Sequence, residues 1–332
     1  MEGKLRIGVA GAGAISQYHL AGWSETPDAQ LVAICDVDES RARAKAQAFR
    51  IPGVYTDFRA MIEGEDLDAV DVVTPVGTHG PLTRVAADAG LHVCCQKPLT
   101  PTVREAEALI AYVGDRVRFM VHENYRFRPH YVGIAQWLQE GRIGAITHAR
   151  MVVRSQGMIE VNGEAPFLLN RQPYLKDFRR LLIFEVLIHH LDVMRVLLGP
   201  LEVVAARTAK VNSALAGEDV AVIMLAGGNN LTAVLDGNIS AAGYGPLPMD
   251  RLEIMGTRGT LIFERDRLYL AGSEEPPVIF DLARNYQICF TRAVQEFVRG
   301  IRDGTPFPTD RLDNLQTLKL MESCYAAAGV SV

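Results

Sequence analysis

The stretch LRIGVAGAGAISQYHL, residues 5–20, decides the fold. Its first six residues are mostly apolar, Gly11-Ala12-Gly13 interrupts them, and a helical pattern follows from Ile15. This order predicts a strand, a glycine turn and a helix. The spacing fits G-x-G-x-x-G only loosely, because Ser16 takes the place of the third glycine, and glycines also occur in ordinary loops. The turn alone therefore identifies no ligand.

A second apolar run, residues 31–35, ends in Asp36, which lies 23 residues beyond Gly13. Dinucleotide-binding folds need such parts: glycines let the backbone approach the pyrophosphate, a helix N-terminus offers N–H donors, and an acidic side chain bonds the ribose hydroxyls. We therefore expect a dinucleotide to contact Asp36 and four residues of the turn: Gly11, Gly13, Ala14 and Ile15.

The same carboxylate distinguishes between the two nicotinamide cofactors. Asp36 repels a 2′-phosphate, so we expect NAD in preference to NADP. Arg41 and Arg43 follow soon afterwards and could receive that phosphate. We favour the other interpretation, in which both arginines lie on the exposed face of an Ala-rich helix over residues 40–49.

Strands and helices continue to alternate through the first third of the chain. Strands are predicted at residues 69–73, 92–95 and 118–121, and helices at 81–90 and 105–113. This rhythm is typical of an open parallel sheet, in which ligands bind beyond the carboxyl ends of the strands. Five candidate binding residues fall at such ends: Thr74, Pro75, Gln96, Lys97 and Asn124.

Beyond about residue 122, strand-like runs follow one another without helices, at residues 143–154, 201–212, 220–226, 231–240 and 252–270. Glycine-containing turns at 227–230 and 256–259 predict hairpins, and hence an α+β domain on a large open antiparallel sheet. Helical periodicity returns after Arg284 and again at 312–328. We therefore expect two domains, 1–122 and 123–332, and a homodimer or homotetramer that covers the open sheet face.

Composition excludes several classes of protein. The 332 residues are 48% hydrophobic and 22% charged with a net charge of −5, which is typical of a globular protein and offers no basic field for nucleic acid. No apolar run reaches the length of a membrane span, and the N-terminus lacks the apolar region of a secretory signal. The five cysteines have no metal-site or disulfide spacing. We expect a cytoplasmic protein without a metal, a nucleic-acid partner or a membrane partner.

Several segments resemble the glucose–fructose oxidoreductase, inositol dehydrogenase and rhizopine-catabolism family. They are GVAGAG at 8–13, Cys35-Asp36, Thr74-Pro75 with His79, AGLHVCCQKPL at 89–99 and NYRFRP at 124–129. The resemblance implies an N-terminal Rossmann domain, with His79 added to the cofactor-binding residues, a substrate domain and a homo-oligomer. Gln96 departs from the family's usual glutamate: the amide still makes hydrogen bonds, but it removes a negative charge beside Lys97.

The chemically informative helix is predicted over residues 182–198 and ends before Gly199-Pro200. Glu185, His189 and Asp192 lie on one narrow strip, apart from the apolar stripe. Glu185 and His189 are i,i+4 neighbours, and a carboxylate beside an imidazole is suited to a general base. A solvated polar face is the alternative from periodicity alone. The family's D-x-x-x-H-x-x-D pattern, with glutamate at 185, implies that His189 is catalytic.

These residues predict hydride transfer between a sugar or polyol carbon and NAD. His189 removes the hydroxyl proton with the help of Glu185, while Lys97 orients the same oxygen. An uncharged aldose, giving a lactone, is the first choice of substrate. We expect the substrate to contact seven residues: Lys97, Asn124, Arg154, Tyr174, Glu185, His189 and Tyr244.

Four other functions stay open at this point. A cyclitol or other polyol dehydrogenase, or a keto-sugar reductase, would use the same reversible site. A glycosidase with tightly held NAD would release no net NADH. A non-catalytic NAD-binding regulator need not keep Lys97 and His189 together, and this sequence has both.

Overall fold

The computed structural model describes residues 3–330, which form two compact units. The first contains the chain up to Phe127 together with Tyr286–Leu318, and the second contains Arg128–Asn285 together with the chain from Lys319 onward. The expected boundary between 122 and 123 lies close to the first division. Residues 286–318, which we expected in the second domain, instead belong to the first unit.

The first unit alternates strands and helices along the chain. They are β1 Leu5–Ala10, α1 Ser16–Ser24, β2 Ala29–Cys35, α2 Glu39–Phe49, β3 Gly53–Tyr55, α3 Phe58–Gly64, β4 Ala69–Val72, α4 Val76–Asp88, β5 His92–Gln96, α5 Val103–Val113 and β6 Phe119–His122. All strand pairs are parallel, in the order β3-β2-β1-β4-β5-β6. The direction of the strand order changes between β1 and β4, the point where open parallel sheets bind ligands.

The helix α9, Leu282–Asp303, explains why the C-terminal segment belongs to the first unit. Its side chains Val294, Phe297 and Ile301 are buried in one core with Ile7 and Trp23 of the parallel sheet and its first helix. The apolar stripe was visible in the sequence, but the sheet that it covers was not.

The second unit is built on a sheet in the order β14-β13-β12-β11-β7-β10-β9-β8. The strands are β7 Ile146–Arg154, β8 Leu201–Ala209, β9 Val220–Gly227, β10 Thr232–Asn238, β11 Met249–Gly256, β12 Thr260–Glu264, β13 Arg267–Leu270 and β14 Val278–Ile279. The predicted antiparallel sheet is confirmed except at its centre, where β7 and β10 run parallel. The hairpin at 227–230 is also confirmed, with Asn229 and Asn230 at the positive φ angles that a tight hairpin turn requires.

The remaining α-helices among residues 3–330 are α6 Pro129–Gln139, α7 Phe167–Arg171, α8 Ile188–Leu198 and α10 Arg311–Ala327, and short 3-10 helices lie at Tyr125–Phe127 and Pro173–Asp177. The predicted single helix over 182–198 is a π-helix, Leu182–Leu187, followed by α8. Within residues 3–330, no helix is both long and apolar enough to cross a membrane.

Candidate active site

The two glycines of the first turn are needed for different reasons. Gly11 has φ +106°, and a Cβ there would lie 2.3 Å from the carbonyl oxygen of Val73. Gly13 has no heavy atom within 4 Å of a Cβ position, so the space above it is open. Gly11 therefore permits the turn to pack on β4, and Gly13 leaves room for a ligand to approach the backbone.

The start of α1 and Asp36 complete this cradle. No side chain caps the start of the helix at Ile15; the carbonyls of Gly13 and Ile15 accept from Ser16 N at 3.2 Å and from Tyr18 N at 3.1 Å. Asp36 accepts hydrogen bonds from Ala12 N at 2.6 Å and from Asp38 N at 2.9 Å, one on each carboxylate oxygen. Each oxygen keeps a second lone pair for a ribose hydroxyl. The open space, the helix end and the oriented carboxylate fit a dinucleotide.

The arginines that could have bound a 2′-phosphate are paired with carboxylates of α2 and its cap. Arg41 lies 3.0 Å from Asp38, and Arg43 lies 2.6 Å from Glu39. These contacts agree with the exposed-helix interpretation and support the expected preference for NAD.

Thr74, Pro75 and His79 lie together after β4, where Pro75 precedes α4. The buried ring of His79 lies 2.7 Å from the carbonyl oxygen of Thr74 and 2.8 Å from that of Pro98. Burial lowers the pKa of His79 in spite of these two bonds. Both ring nitrogens face protein carbonyls, so His79 joins the segments that follow β4 and β5 and can act on a cofactor only by positioning them.

Gln96 is buried at the end of β5, and Lys97 follows it with a partly exposed side chain and a cis bond to Pro98. Gln96 Oε1 accepts a hydrogen bond from Lys97 N at 2.7 Å, and Gln96 Nε2 lies 2.9 Å from His19 Nε2. Asn124, beyond β6, is buried and donates to Cys289 Sγ at 3.1 Å. The structure thus brings the predicted strand-end residues to one edge of the parallel sheet.

The π-helix begins against a buried carboxylate. Glu218 accepts hydrogen bonds from Leu181 N at 3.1 Å and Ile183 N at 3.0 Å. Tyr325 OH donates to Glu218 at 2.6 Å and accepts from Phe184 N at 3.1 Å. The first N–H groups of this helix are therefore held by the side chains of Glu218 and Tyr325 and by the carbonyl of Glu218, which accepts from Leu182 N at 3.1 Å; together they fix the segment that carries Glu185.

His189 and Asp192 are buried on α8, and Glu185 is half-buried on the π-helix. Tyr174 belongs to the same surroundings, because burial and then the charge of Glu185 raise the pKa of its phenol. The π-helix changes the residue spacing per turn between positions 185 and 189, so ideal α-helical geometry does not describe this pair. π-helical turns occur frequently at functional sites.

His190 faces away from this strip and anchors the helix to the sheet. Its Nε2 lies 2.9 Å from the buried carboxylate of Asp250, which also accepts from Tyr131 OH at 2.6 Å. Burial alone would raise the pKa of Asp250, but His190, with Arg128 and Tyr131, holds it well below its usual range.

The structure corrects one predicted substrate contact. Gly237 of β10 faces Leu187 of the π-helix, and Arg154, which pairs with the next residue of β10, points to the opposite face of the sheet. Its guanidinium bonds Asp236 Oδ2 at 2.6 Å. Arg154 is therefore not brought to the side that carries His189. Tyr244 lies in an exposed loop after β10.

Sequence reasoning missed the residues that support the site. Of these residues, only Asp71 could have been found from the sequence, because it is a charged residue inside an otherwise apolar strand, Ala69–Val72. His19 lies among the packing residues of α1, and nothing local marks it. Glu218 and Tyr325 lie far along the chain from the helix that they hold, so no local pattern connects them to it.

The parallel sheet, the open glycine turn and Asp36 together define a dinucleotide-binding protein of the Rossmann type. Residues 5–123 match the "Oxidoreductase family, NAD-binding Rossmann fold", and residues 131–262 match the "GFO/IDH/MocA C-terminal domain". The chain therefore belongs to the GFO/IDH/MocA oxidoreductase family. This confirms the resemblance, and with it an NAD-binding oxidoreductase.

Individual relatives resemble the chain over nearly its full length. A D-apiose dehydrogenase of Paraburkholderia graminis is 35% identical over 96% of this chain and 86% of its own length. An inositol 2-dehydrogenase of Rhizobium meliloti is 28% identical over 96% of this chain and 95% of its own. Among solved structures, an oxidoreductase from Agrobacterium radiobacter in complex with NAD⁺, L-tartaric acid and magnesium has a TM-score of 0.89 at 29% identity, covering 98% of this chain and 96% of that one.

Proposed function

We propose that this protein is an NAD-dependent sugar dehydrogenase that oxidises an uncharged aldose at a hydroxyl-bearing carbon. The observation that carries the proposal is the arrangement in the first unit: an open cradle at Gly13 and Asp36, with Lys97 following the carboxyl end of β5 in the same parallel sheet. Relatives named as D-apiose dehydrogenases, 35% and 30% identical, support a sugar substrate.

Several residues would hold NAD. Gly13, Ala14 and Ile15 present backbone to the pyrophosphate, where the helix N-terminus favours negative charge. Asp36 would accept the ribose hydroxyls, and Thr74, Pro75, Gln96 and Asn124 lie at the strand ends towards the nicotinamide. A nicotinamide held there would supply the hydride acceptor for oxidation of the substrate's carbinol carbon.

The protein's part in the reaction is to move one proton and hold one oxygen. His189 removes the proton of the substrate hydroxyl, and Glu185 supports the imidazole as it becomes positively charged. The ammonium group of Lys97 donates a hydrogen bond to the same oxygen and stabilises the negative charge that develops there. Asn124, Tyr174 and Tyr244 contribute further hydrogen-bonding groups for sugar hydroxyls.

A polyol substrate is the second candidate. Relatives named as inositol 2-dehydrogenases cover most of this chain at 28% and 30% identity. The same proton removal at a ring hydroxyl would give a ketone instead of a lactone. A keto-sugar reductase would run the reaction in reverse.

The test is a panel of aldoses, cyclitols and uronic acids, with NADH absorbance measured in parallel assays with NAD and NADP. We expect an aldose with NAD to give the highest kcat/KM. Lys97→Ala should lower kcat by about 10²–10³-fold, the range for loss of a donor to a developing oxyanion, while NAD affinity changes little. Lys210→Ala, which alters an exposed lysine just beyond β8, is the matched control.

Unchanged turnover in Lys97→Ala would contradict the assigned role. NADH that never leaves the protein while a glycosidic bond is cleaved would identify an NAD-dependent glycosidase. Binding of NAD without turnover of any substrate in the panel would favour a regulator.

The homodimer or homotetramer is proposed from the open face of the second sheet. Val204, Val222 and Met224 are exposed on β8 and β9, on the side away from the helices that cover Ile223 and Leu225. Such an apolar face is typical of an interface between subunits. Light scattering measures the oligomeric state.

A cytoplasmic location is proposed because all five thiols are free and buried, which suits a reducing compartment.

A further inference from the structure

A chain of buried side chains links the middle of the parallel sheet to the backbone of Lys97. Asp71 Oδ2 on β4 lies 2.8 Å from His19 Nδ1 on α1 and accepts from Trp23 Nε1 at 2.7 Å. His19 Nε2 lies 2.9 Å from Gln96 Nε2 on β5, and Gln96 Oε1 accepts from Lys97 N at 2.7 Å. We call Asp71, His19 and Gln96 the buried chain.

The hydrogen-bond roles in the buried chain are determined from its Lys97 end. The N–H of Lys97 is a donor, so the atom of Gln96 that meets it is the carbonyl oxygen. The amide nitrogen of Gln96 is a donor as well, and it therefore faces an imidazole nitrogen that accepts. His19 accordingly carries its proton on Nδ1 and donates it to Asp71. Each member thus determines the orientation of the next.

Asp71 is a carboxylate buried in this interior. Burial alone would raise the pKa of Asp71, but His19 and Trp23 hold it below its usual value. The titratable groups around it are neutral: burial lowers the pKa of His122 on β6 to about 3, and burial raises the pKa of the Cys94 and Cys95 thiols on β5. From α9, the chain meets the apolar ring of Phe290.

We propose that Asp71, His19 and Gln96 are positioning residues, which fix the Lys97 backbone through hydrogen bonds while they keep the negative charge two side chains away from it. The inference rests on the proposed function in that Lys97 acts on the reacting oxygen. It also gives Gln96 a role: its amide transmits the orientation of the Asp71 carboxylate on β4 to the backbone of Lys97. Burial and, as a smaller cause, the charge of Lys97 lower the pKa of His79 on α4.

Two substitutions separate positioning from charge. Gln96→Leu removes both hydrogen bonds of the amide, and kcat should fall about 100-fold. Gln96→Glu restores an acceptor for Lys97 N and should recover at least tenfold of that loss. Lys210→Ala, the exposed control beyond β8, should leave kcat unchanged.

The protonation of His19 supplies a second measurement that needs no turnover. In ¹⁵N spectra, assigned with His19→Gln, the wild-type ring should carry its proton on Nδ1, with Nε2 as the acceptor. In Gln96→Glu, two carboxylates flank the ring, and it should carry both protons. A wild-type ring protonated on Nε2, or a kcat in Gln96→Glu no higher than in Gln96→Leu, would overturn the proposal. If no sugar is oxidised, the spectra still test the buried chain, so failure of the proposed function is recognised separately.

Discussion

At the scale of single residues, substitutions of Gly11 and Gly13 should have separate effects, the first on stability and the second on cofactor binding. Gly11→Ala forces a Cβ against Val73 and an unfavourable φ, and should cost about 3 kcal/mol of the free energy of unfolding. Gly13→Ala meets open space, so its stability should change by no more than about 0.5 kcal/mol. Its methyl group occupies the cradle, and NADH affinity should fall at least tenfold. Urea unfolding and NADH fluorescence titration measure the two effects.

The pair is informative because each variant controls for the other. Weak NADH binding by Gly13→Ala with normal stability assigns the open space to the cofactor. Normal binding by that variant would mean that the pyrophosphate lies elsewhere.

Several residues could be predicted individually because their signal is local. Asp36 follows an apolar strand at the correct distance from the glycines, and Lys97 stands between a strand end and a proline. The position of Arg154 could not be predicted in this way, because the face of the sheet on which a strand residue lies depends on the register of its strand with the neighbouring strands. One register with β10 places it against Asp236, away from the predicted substrate side.

At the scale of elements, the π-helix depends on Tyr325. Tyr325→Phe leaves Phe184 N and a buried oxygen of Glu218 each with one partner fewer, and should cost about 1–3 kcal/mol of the free energy of unfolding. The loosened helix also carries Glu185, so kcat should fall while NADH affinity stays unchanged. Chemical denaturation and steady-state kinetics measure both.

Tyr112→Phe is the matched control, since that exposed hydroxyl bonds Asp88 on the surface of the first unit. It should change neither quantity appreciably. Equal behaviour of the two variants would show that the Tyr325 hydroxyl does not hold the π-helix.

The periodicity of residues 182–198 correctly predicted a helix and its end at Gly199. It could not predict the π-helical start, because the cause is a carboxylate from Glu218 that bonds the first N–H groups. The spacing of apolar residues shows which face of the helix is apolar. The type of helix, by contrast, depends here on Glu218, which comes close to Leu182 only when the chain folds. The buried chain was hidden for the same reason.

At the scale of the whole molecule, buried neutral histidines make stability depend on pH. Burial lowers the pKa of His122 and of His130 to about 3, below the ordinary value near 6.5. As pH falls from about 6.5 towards 3, the unfolded chain binds protons at these positions and the folded protein does not. Each histidine should therefore remove up to about 1.4 kcal/mol of stability per pH unit in that window.

Urea unfolding at several pH values between 4 and 7 measures this slope. His130→Phe should reduce the slope by the contribution of one histidine, because phenylalanine binds no proton. The fold should tolerate the change, since the ring of His130 already stacks on Phe263 with centroids 4.4 Å apart. An unchanged slope in that variant would show that His130 also binds a proton in the folded protein.

The division into two units was predictable in outline and wrong in its last part. The change of rhythm near residue 122 marks the first crossing, since alternating strands and helices give way to successive strands. The return of residues 286–318 leaves no such mark, because Val294 and Phe297 form an apolar stripe that would suit either sheet.

That return has a consequence for synthesis on the ribosome. N-terminal domains commonly fold before the rest of a chain emerges. Here the chain passes between the units three times, after Phe127, Asn285 and Leu318. The core of the first unit is therefore complete only after α9 has been synthesised and covers Trp23 and Ile7. A fragment that ends at Phe127 would expose apolar core residues of the first unit to solvent. To fold on its own or in a fusion protein, the first unit therefore needs residues 286–318 as well.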